Sequence, residues 1–593
     1  MKPERYNQRT GTAQPSIKMI LFSAGICLLL LFSPLGVGLA LAPVIDLALG
    51  QHHMVIYGDQ ANGYLSEISA SGDFNKDGFK DLLLGAAGRN QFAGAAFMIL
   101  GSANPASTIY LFVNQANLTV LGAGNFHALG HSVAAGDVNG DGYDDMIVSA
   151  DGFNSGRGAV YVFLGGPDLT GPAVVNLASS TSSPNASPAL TILGASAENR
   201  LGRSVASGDV NGDGIADIII GAYKVSLNER IEAGAVYVIL GNTGISAAAP
   251  NTINLASTQA ALTIYGESGA PGSLNPAGPV SKERLSPLFA DELRQGAAEL
   301  GDRLGRSVAV GDVNKDGIAD IIAGAYGANV GANPDAGKTY VFYGSASYSS
   351  AAPQIIDLGA NPAGANIALN GVDANDQSGF YVASGDLNND GFDDILTSAY
   401  FSQGVDNAAA EAGEAYVVYG GSSLPATINL ATNASLTIYG AAAGDRLGRS
   451  LAAGDVNGDG YVDLILGASR ADPNGRQDAG TVYVINGRQN IPSPILLNDP
   501  AKADVRILGA ASSGVSCEAD SPNTIDCSDE AGHSSGVGDI NGDGVADVVV
   551  GALFANQGNL QDAGAIYVIF GGSGSNPPPP SNGRFLYMPV LYK

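Results

Sequence analysis

Seven times the chain repeats the phrase Asp-x-Asn-x-Asp-Gly-x-x-Asp. The spacing offers oxygen donors at positions 1, 3, 5 and 9, a backbone carbonyl at position 7, and a glycine at position 6 for the sharp turn between them. That is the ligand chemistry of a hard divalent cation, which takes six to eight oxygens at about 2.3–2.6 Å. The expected ligand sets are Asp73, Asn75, Asp77, the carbonyl of Phe79, and Asp81; Asp137, Asn139, Asp141, Tyr143 and Asp145; Asp209, Asn211, Asp213, Ile215 and Asp217; Asp312, Asn314, Asp316, Ile318 and Asp320; Asp386, Asn388, Asp390, Phe392 and Asp394; Asp455, Asn457, Asp459, Tyr461 and Asp463; and Asp539, Asn541, Asp543, Val545 and Asp547. Calcium, at up to seven sites, is the expected cofactor. Magnesium demands a tight octahedron and keeps its waters, and zinc would want His or Cys, which the phrase lacks. A helix-flanked calcium loop would need Glu at position 12, whereas positions 10–12 here are strand-like, as in Ile218-Ile219-Ile220. The alternative is a set of Asp-rich turns without an ion, in which three converging carboxylates would repel one another in every copy. The expected role of the ion is to stiffen a hairpin, not to catalyse.

The elements around the loops are strands. In the third copy Leu201–Gly208 leads into the loop, Ile218–Ala222 follows it, Gly234–Gly241 comes next, and Leu262–Gly266 completes the unit. These are runs of strand length, rich in Val, Ile and Tyr and punctuated by Gly. The second run is apolar on both faces, as a strand covered on both sides must be. The loops start 64, 72, 103, 74, 69 and 84 residues apart, which suits one small sheet per repeat. A four-stranded antiparallel sheet cannot bury both faces alone, so such units stack radially. The expected fold is all-β, a seven-bladed β-propeller of four-stranded antiparallel blades over residues 44–572. An orphan strand, Met54–Gly58, is expected to supply the outer strand that the last repeat lacks and to close the ring.

These residues resemble the FG-GAP repeats that build the β-propeller of integrin α-subunits. Leu-Gly-Arg-Ser at Leu201, Leu304 and Leu447 and Leu-Gly-His-Ser at Leu129 stand where that family has Phe-Gly. Gly-Ala at Gly85, Gly221, Gly324, Gly467 and Gly551, with Ser-Ala at Ser149 and Ser398, stands where it has Gly-Ala-Pro. Blade five departs with Ser378-Gly379-Phe380, and the first repeat has lost the Gly. The resemblance implies the propeller and an adhesion-like or ligand-binding role. No inserted adhesion domain, leg domains or C-terminal transmembrane helix of the eukaryotic proteins is read in the sequence.

Composition narrows the partners. Formal net charge is −28, and the motif aspartates, three per copy, make up 21 of the 56 acidic residues. Such an acidic chain repels nucleic acid and anionic membranes. Lys2, Arg5, Arg9 and Lys18 precede an apolar run from Met19 to about Leu35, then Gly38-Leu39-Ala40, which reads as an export signal over residues 1–40 cleaved after Ala40. An uncleaved anchor is the alternative, since Met19 to Ala42 is long enough to span a bilayer. Export predicts a secreted or cell-surface protein with no membrane insertion after cleavage. Cys517 and Cys527 are expected to form a disulfide in that compartment, with two idle thiols as the alternative. Residues 573–593 form a Pro-rich spacer and a short apolar tip, for sorting, docking or no ordered role.

Strand alternation places all seven Asp loops on one rim. The loops after Gly-Ala, such as 223–233 and 400–412, fall on the opposite rim, as do the excursion 267–302, with an amphipathic stretch at 285–300, and the loop bearing Cys517 and Cys527. That metal-free rim is the expected ligand face, loop-length drift being the alternative. Arg203, Arg306, Arg449, His131 and His533 each precede their loop's first Asp by six residues and form a candidate ring of positive charge near the axis, which a repeat inherited for packing explains equally well. With five His in all, no nucleophile elbow and no His cluster, no enzymatic activity is expected. The expected function is an exported calcium-binding adhesion or ligand-binding module for an extracellular protein or polysaccharide. The alternatives are a structural envelope component or a carbohydrate-binding or hydrolytic accessory protein.

Overall fold

The computed structural model describes residues 44–113, 115–169, 171–178, 187–268, 301–510 and 529–572. The expected leader, the 285–300 stretch, the Cys517–Cys527 loop and the tail from residue 573 lie outside the described residues. Seven small sheets stand in a ring, one per repeat. In blade three the ladder runs Ser204–Gly208, Asp217–Ala222, Ala235–Ile239, Leu262–Tyr265, each antiparallel to the next. The first strands line the axis. Each packs on its counterparts in both neighbouring blades, the first blade's on the last blade's included.

The apolar second strands explain the ring. Asp217–Ala222 is buried along its whole length, as are its six counterparts. Alternate side chains serve different neighbours: Ile218 and Ile220 join a core with Val160 and Ile147 of blade two, while Ile219 joins one with Ile321 and Tyr340 of blade four. One such core lies between every adjacent pair of blades. Each fully buried Ile contributes about 1.5–3 kcal/mol.

The sheets have five strands, not the expected four. The fifth is a short parallel strand donated by the next blade from the connection between its third and fourth strands. Gln354–Asp357 of blade four lies beside Leu262–Tyr265 of blade three, and Asn251–Asn254 of blade three lies beside Leu190–Leu193 of blade two. Without this clasp each outer strand would present a bare row of N–H and C=O groups. The N-terminus completes the pattern twice. Met54–Tyr57 pairs antiparallel with Ala565–Ile569 as the outer strand of blade seven, as expected. Val44–Asp46 then clasps Val505–Leu508 of blade six, with Asp46 2.9 Å from Arg476.

Candidate metal loops and the channel plug

The seven Asp loops join first to second strands, so they share one rim. Their geometry repeats. In blade three, Asp209 Oδ1 accepts from Asp213 N at 3.2 Å and Oδ2 from Gly214 N at 2.7 Å. Asn211 Oδ1 accepts from Asp213 N at 2.9 Å, and Asp213 Oδ1 accepts from Ile215 N at 2.9 Å. The turn at position 6 needs a left-handed backbone, with φ of +85° at Gly214 and +90° at Gly78, which glycine adopts without strain. In all seven loops position 1 is half-buried, position 5 exposed and position 9 fully buried.

Position 9 does something the spacing did not reveal. Asp217 Oδ2 accepts from Val210 N at 3.0 Å, and its Oδ1 accepts from Gly241 N, just past the third strand, at 2.9 Å. The same pair of bonds recurs at Asp81, Asp145, Asp320, Asp394, Asp463 and Asp547. This carboxylate therefore stitches the loop to the neighbouring turn of its own blade. Burial pushes each of the seven up to about 7, against the pull of the two N–H groups, and the acids at positions 1 and 5 push the same way. Position 2 was also missed: Val210 and its counterparts are buried between blades. The signal was available, since that position is always Phe, Val, Leu or Ile.

The loops are joined to one another. Ala216 N donates to Asp137 O of the preceding blade at 3.0 Å, Ala319 N to Asp209 O at 3.0 Å, and so on round the rim to Lys80 N, which donates to Asp539 O at 2.9 Å. A backbone hydrogen bond thus links each loop to the next through all seven blades.

The donor set fits a hard cation in kind. It is all oxygen, it is reachable at positions 1 and 5, and the acids there raise the proton affinity of the one at position 9, an effect that a divalent charge would reverse. Among the described residues, however, no three His, Cys, Asp or Glu side chains close on a common point. In blade three the side chains at positions 1, 3, 5 and 9 all accept from backbone N–H groups. The side chains at positions 1, 3, 5 and 9 and the carbonyl at position 7 are the groups that would hold an ion.

The five basic residues expected near the axis do gather there. Arg203, Arg306, Arg449, His131 and His533 are buried at the end of the inner strands away from the Asp loops. Blade five contributes Tyr381, one residue beyond the register, and its Oη accepts from Arg306 and from Arg449. Arg449 also contacts His533 Nε2. Arg306 lies over the Phe380 ring at 4.4 Å, and Arg203 over Tyr223 at 5.8 Å. Burial, aided by the neighbouring guanidiniums, holds both imidazoles well below their usual pKa and therefore neutral. Burial would raise the Tyr381 phenol, but Arg306, Arg449 and Arg203 outweigh it and bring it down to about 8.

On the same rim an aromatic ladder crosses blades one and seven. Phe126, 59% exposed, stacks on Phe92 at 6.1 Å, Phe92 on Tyr64 at 6.2 Å, and Tyr64 meets Phe554 edge-on at 5.8 Å. Among the described residues no helix is long and apolar enough to cross a membrane.

The chain matches the FG-GAP repeat family at residues 129–163, 201–239, 304–342, 379–418, 447–485 and 531–569. These are blades two to seven. Blade one, which reads Leu65-Ser66-Glu67, lies outside those matches yet forms the same ladder. The chain is 30% identical over 226 residues to phosphatidylinositol-glycan-specific phospholipase D of Rattus norvegicus, covering 38% of this chain and 21% of that protein. It is 28% identical over 192 residues to integrin alpha-5 of Xenopus laevis, covering 31% and 16%. It therefore spans about a fifth or less of these relatives' length. Among solved structures, a rhamnogalacturonan lyase of Bacillus licheniformis aligns over 88% of this chain and 91% of its own at 12% identity, with a TM-score of only 0.28, too loose a likeness to bear on function.

Proposed function

We propose that this chain, an integrin-α-like FG-GAP β-propeller, is an exported, non-catalytic module that binds an extracellular protein or polysaccharide on the rim opposite its Asp loops, with calcium stiffening those loops. The observation that carries the reading is the division of labour between the rims. One rim holds seven near-identical loops tied into a ring of hydrogen bonds. The other holds unequal connections and the exposed end of the Phe126–Phe92–Tyr64 ladder, and aromatic faces are strong contributors to binding surfaces. Calcium, when bound, would neutralise the acids of each loop and lock the turn. Extracellular calcium modules of this kind bind at about 10⁻⁴–10⁻³ M, so stability would follow external calcium by mass action.

The test is a binding screen of the calcium-loaded chain against immobilised matrix proteins, cell surfaces and polysaccharides, with Phe126→Ala alongside. A hit that Phe126→Ala weakens at least fivefold, with the melting temperature unchanged, is the expected result. Turnover of an ester or glycoside by the purified chain would overturn the non-catalytic reading. A bound partner that protects only the Asp-loop rim from labelling would overturn the choice of face.

A further inference from the structure

Blades four and six differ around the same tyrosine. In blade four the third strand, Lys338–Phe342, presents Lys338 and Tyr340, and both donate to Glu267 Oε2, at 2.6 and 2.9 Å. Glu267 follows Gly266 in the segment that enters the blade. In blade six the matching segment reads Gly440-Ala441-Ala442-Ala443, so Ala441 stands in place of Glu267. The third strand there, Thr481–Ile485, puts Thr481 in place of Lys338 and keeps Tyr483 in place of Tyr340. The carboxylate and the ammonium that fill blade four are both gone from blade six.

A cavity of about 620 Å³ is left. That lies within the range of about 300–1,000 Å³ in which small molecules are held. Its lining includes Asp445, Asp472, Tyr483 and Arg506, with Leu49 and Leu508 as apolar wall. Tyr483 is only 5% exposed, yet among the described residues its hydroxyl has no hydrogen-bond partner. Arg506 lies directly opposite it on the fourth strand, where blade four has Ala368, and among the described residues no acid stands within ion-pair distance of its guanidinium. Asp445 is 7% exposed; its Oδ2 accepts from Ala442 N at 3.0 Å, and its Oδ1 is left without a donor. Burial pushes the Asp445 carboxyl up to about 6, against the pull of the Ala442 N–H, and Asp472 and Asp478 push the same way. A cation would relieve that repulsion. Burial pushes the Tyr483 phenol up as well; Asp445 adds to this and Arg506 opposes it, so both charges stand near one hydroxyl without pairing with each other. Buried polar groups left without partners are costly unless something supplies the missing bonds.

We propose that this cavity binds a free α-amino acid with an apolar side chain, its carboxylate accepting from Arg506 and Tyr483 and its ammonium donating to Asp445. The ligand would do in blade six what the Glu267 carboxylate and Lys338 ammonium do in blade four. Guanidinium–carboxylate bonds are about twice as strong as neutral ones, and Leu49 and Leu508 offer the side chain an apolar surface. The site shares no residue with the Asp loops or with the Phe126–Phe92–Tyr64 ladder, and it stands or falls apart from them.

The experiment uses the full chain loaded with calcium. L-leucine and L-phenylalanine are titrated by calorimetry, with N-acetyl-L-leucine, which lacks the ammonium, and L-leucinamide, which lacks the carboxylate, as controls. Saturable binding of at least one of the two amino acids is expected, with both controls weaker by at least about tenfold. Tyr483→Phe removes only the phenol oxygen and should lower affinity about fivefold with the melting temperature unchanged. Ala441→Glu returns to blade six the carboxylate that blade four carries, and should abolish binding while the chain still melts cooperatively. No saturable response to either amino acid, equal affinity for N-acetyl-L-leucine or L-leucinamide, or unchanged affinity in Tyr483→Phe and Ala441→Glu would overturn the site.

Discussion

At the scale of residues, the aspartates of one loop have different jobs. Asp217 is fully buried between two backbone donors, whereas Asp213 is exposed at the turn. Replacing a buried carboxylate by an amide turns one acceptor into a donor facing an N–H, and stranding such a group costs about 1–3 kcal/mol. Asp217→Asn is therefore expected to lower the chemical-denaturation stability of the calcium-free chain by about 2 kcal/mol. Asp213→Asn should leave that stability within about 0.5 kcal/mol and act only through calcium affinity. Equal losses in the two variants would refute the distinction. The spacing Asp-x-Asn-x-Asp made the oxygens legible, because it is a local pattern. The stitching role of position 9 was not legible, since its second donor, Gly241, comes 24 residues later.

At the scale of elements, the clasps and the entry turns carry consequences of their own. Gln354 N donates to Ala261 O at 2.9 Å where blade four clasps blade three. Gln354→Pro removes that donor and should speed amide exchange in Leu262–Tyr265 well before it affects Asp217–Ala222. Uniform acceleration would show that the clasp is not a separate unit. The turns entering the inner strands of blades four to seven each hold a buried carboxyl: Asp302, Asp376, Asp445 and Asp529. Burial pushes Asp302 and Asp376 up to about 7, Asp445 to about 6 and Asp529 to about 8. A carboxyl raised in the folded chain contributes stability that is complete below its unfolded value of about 3.9 and is lost as pH rises through the folded value. Between about pH 4 and 8 the wild type should thus lose stability faster than Asp529→Asn, by up to about 1.4 kcal/mol per pH unit, in paired denaturation curves. Parallel curves would refute it. Strands of the repeat were readable from Val, Ile and Gly punctuation, but clasps such as Ile495–Leu496 are too short to announce themselves, and their partners belong to another repeat.

At the scale of the whole molecule, seven interblade cores and a continuous circuit of loop-to-loop hydrogen bonds make the ring one cooperative body. Calcium removal by a chelator should then lower a single unfolding transition instead of splitting it, provided the ion binds as proposed. A melting temperature that ignores the chelator would end the calcium proposal. Blade number and closure were legible because the repeat counted itself and Met54–Tyr57 had no partner of its own. The plug was only half legible: the register of Arg203, Arg306 and Arg449 was visible, while Tyr381 stands one place off and could not be counted with them. Closure is also separable by truncation. A chain starting at residue 53 loses the clasp on blade six but keeps Met54–Tyr57, and one starting at residue 59 loses that strand of blade seven as well. The second should melt well below the first and associate in sizing experiments, because it leaves an unpaired edge.

Because the fourth strand of blade seven comes from the leading end of the chain, it can pair with Thr108–Tyr110 early but must wait for its antiparallel partner until residue 569 has emerged from synthesis. For most of its life as a nascent chain the molecule is an open arc with sticky ends. At high local concentration one arc can be completed by the leading segment of another, giving strand-swapped chains of arcs in place of closed monomers. Joining the ends covalently and reopening the chain elsewhere, by circular permutation, would remove that delay.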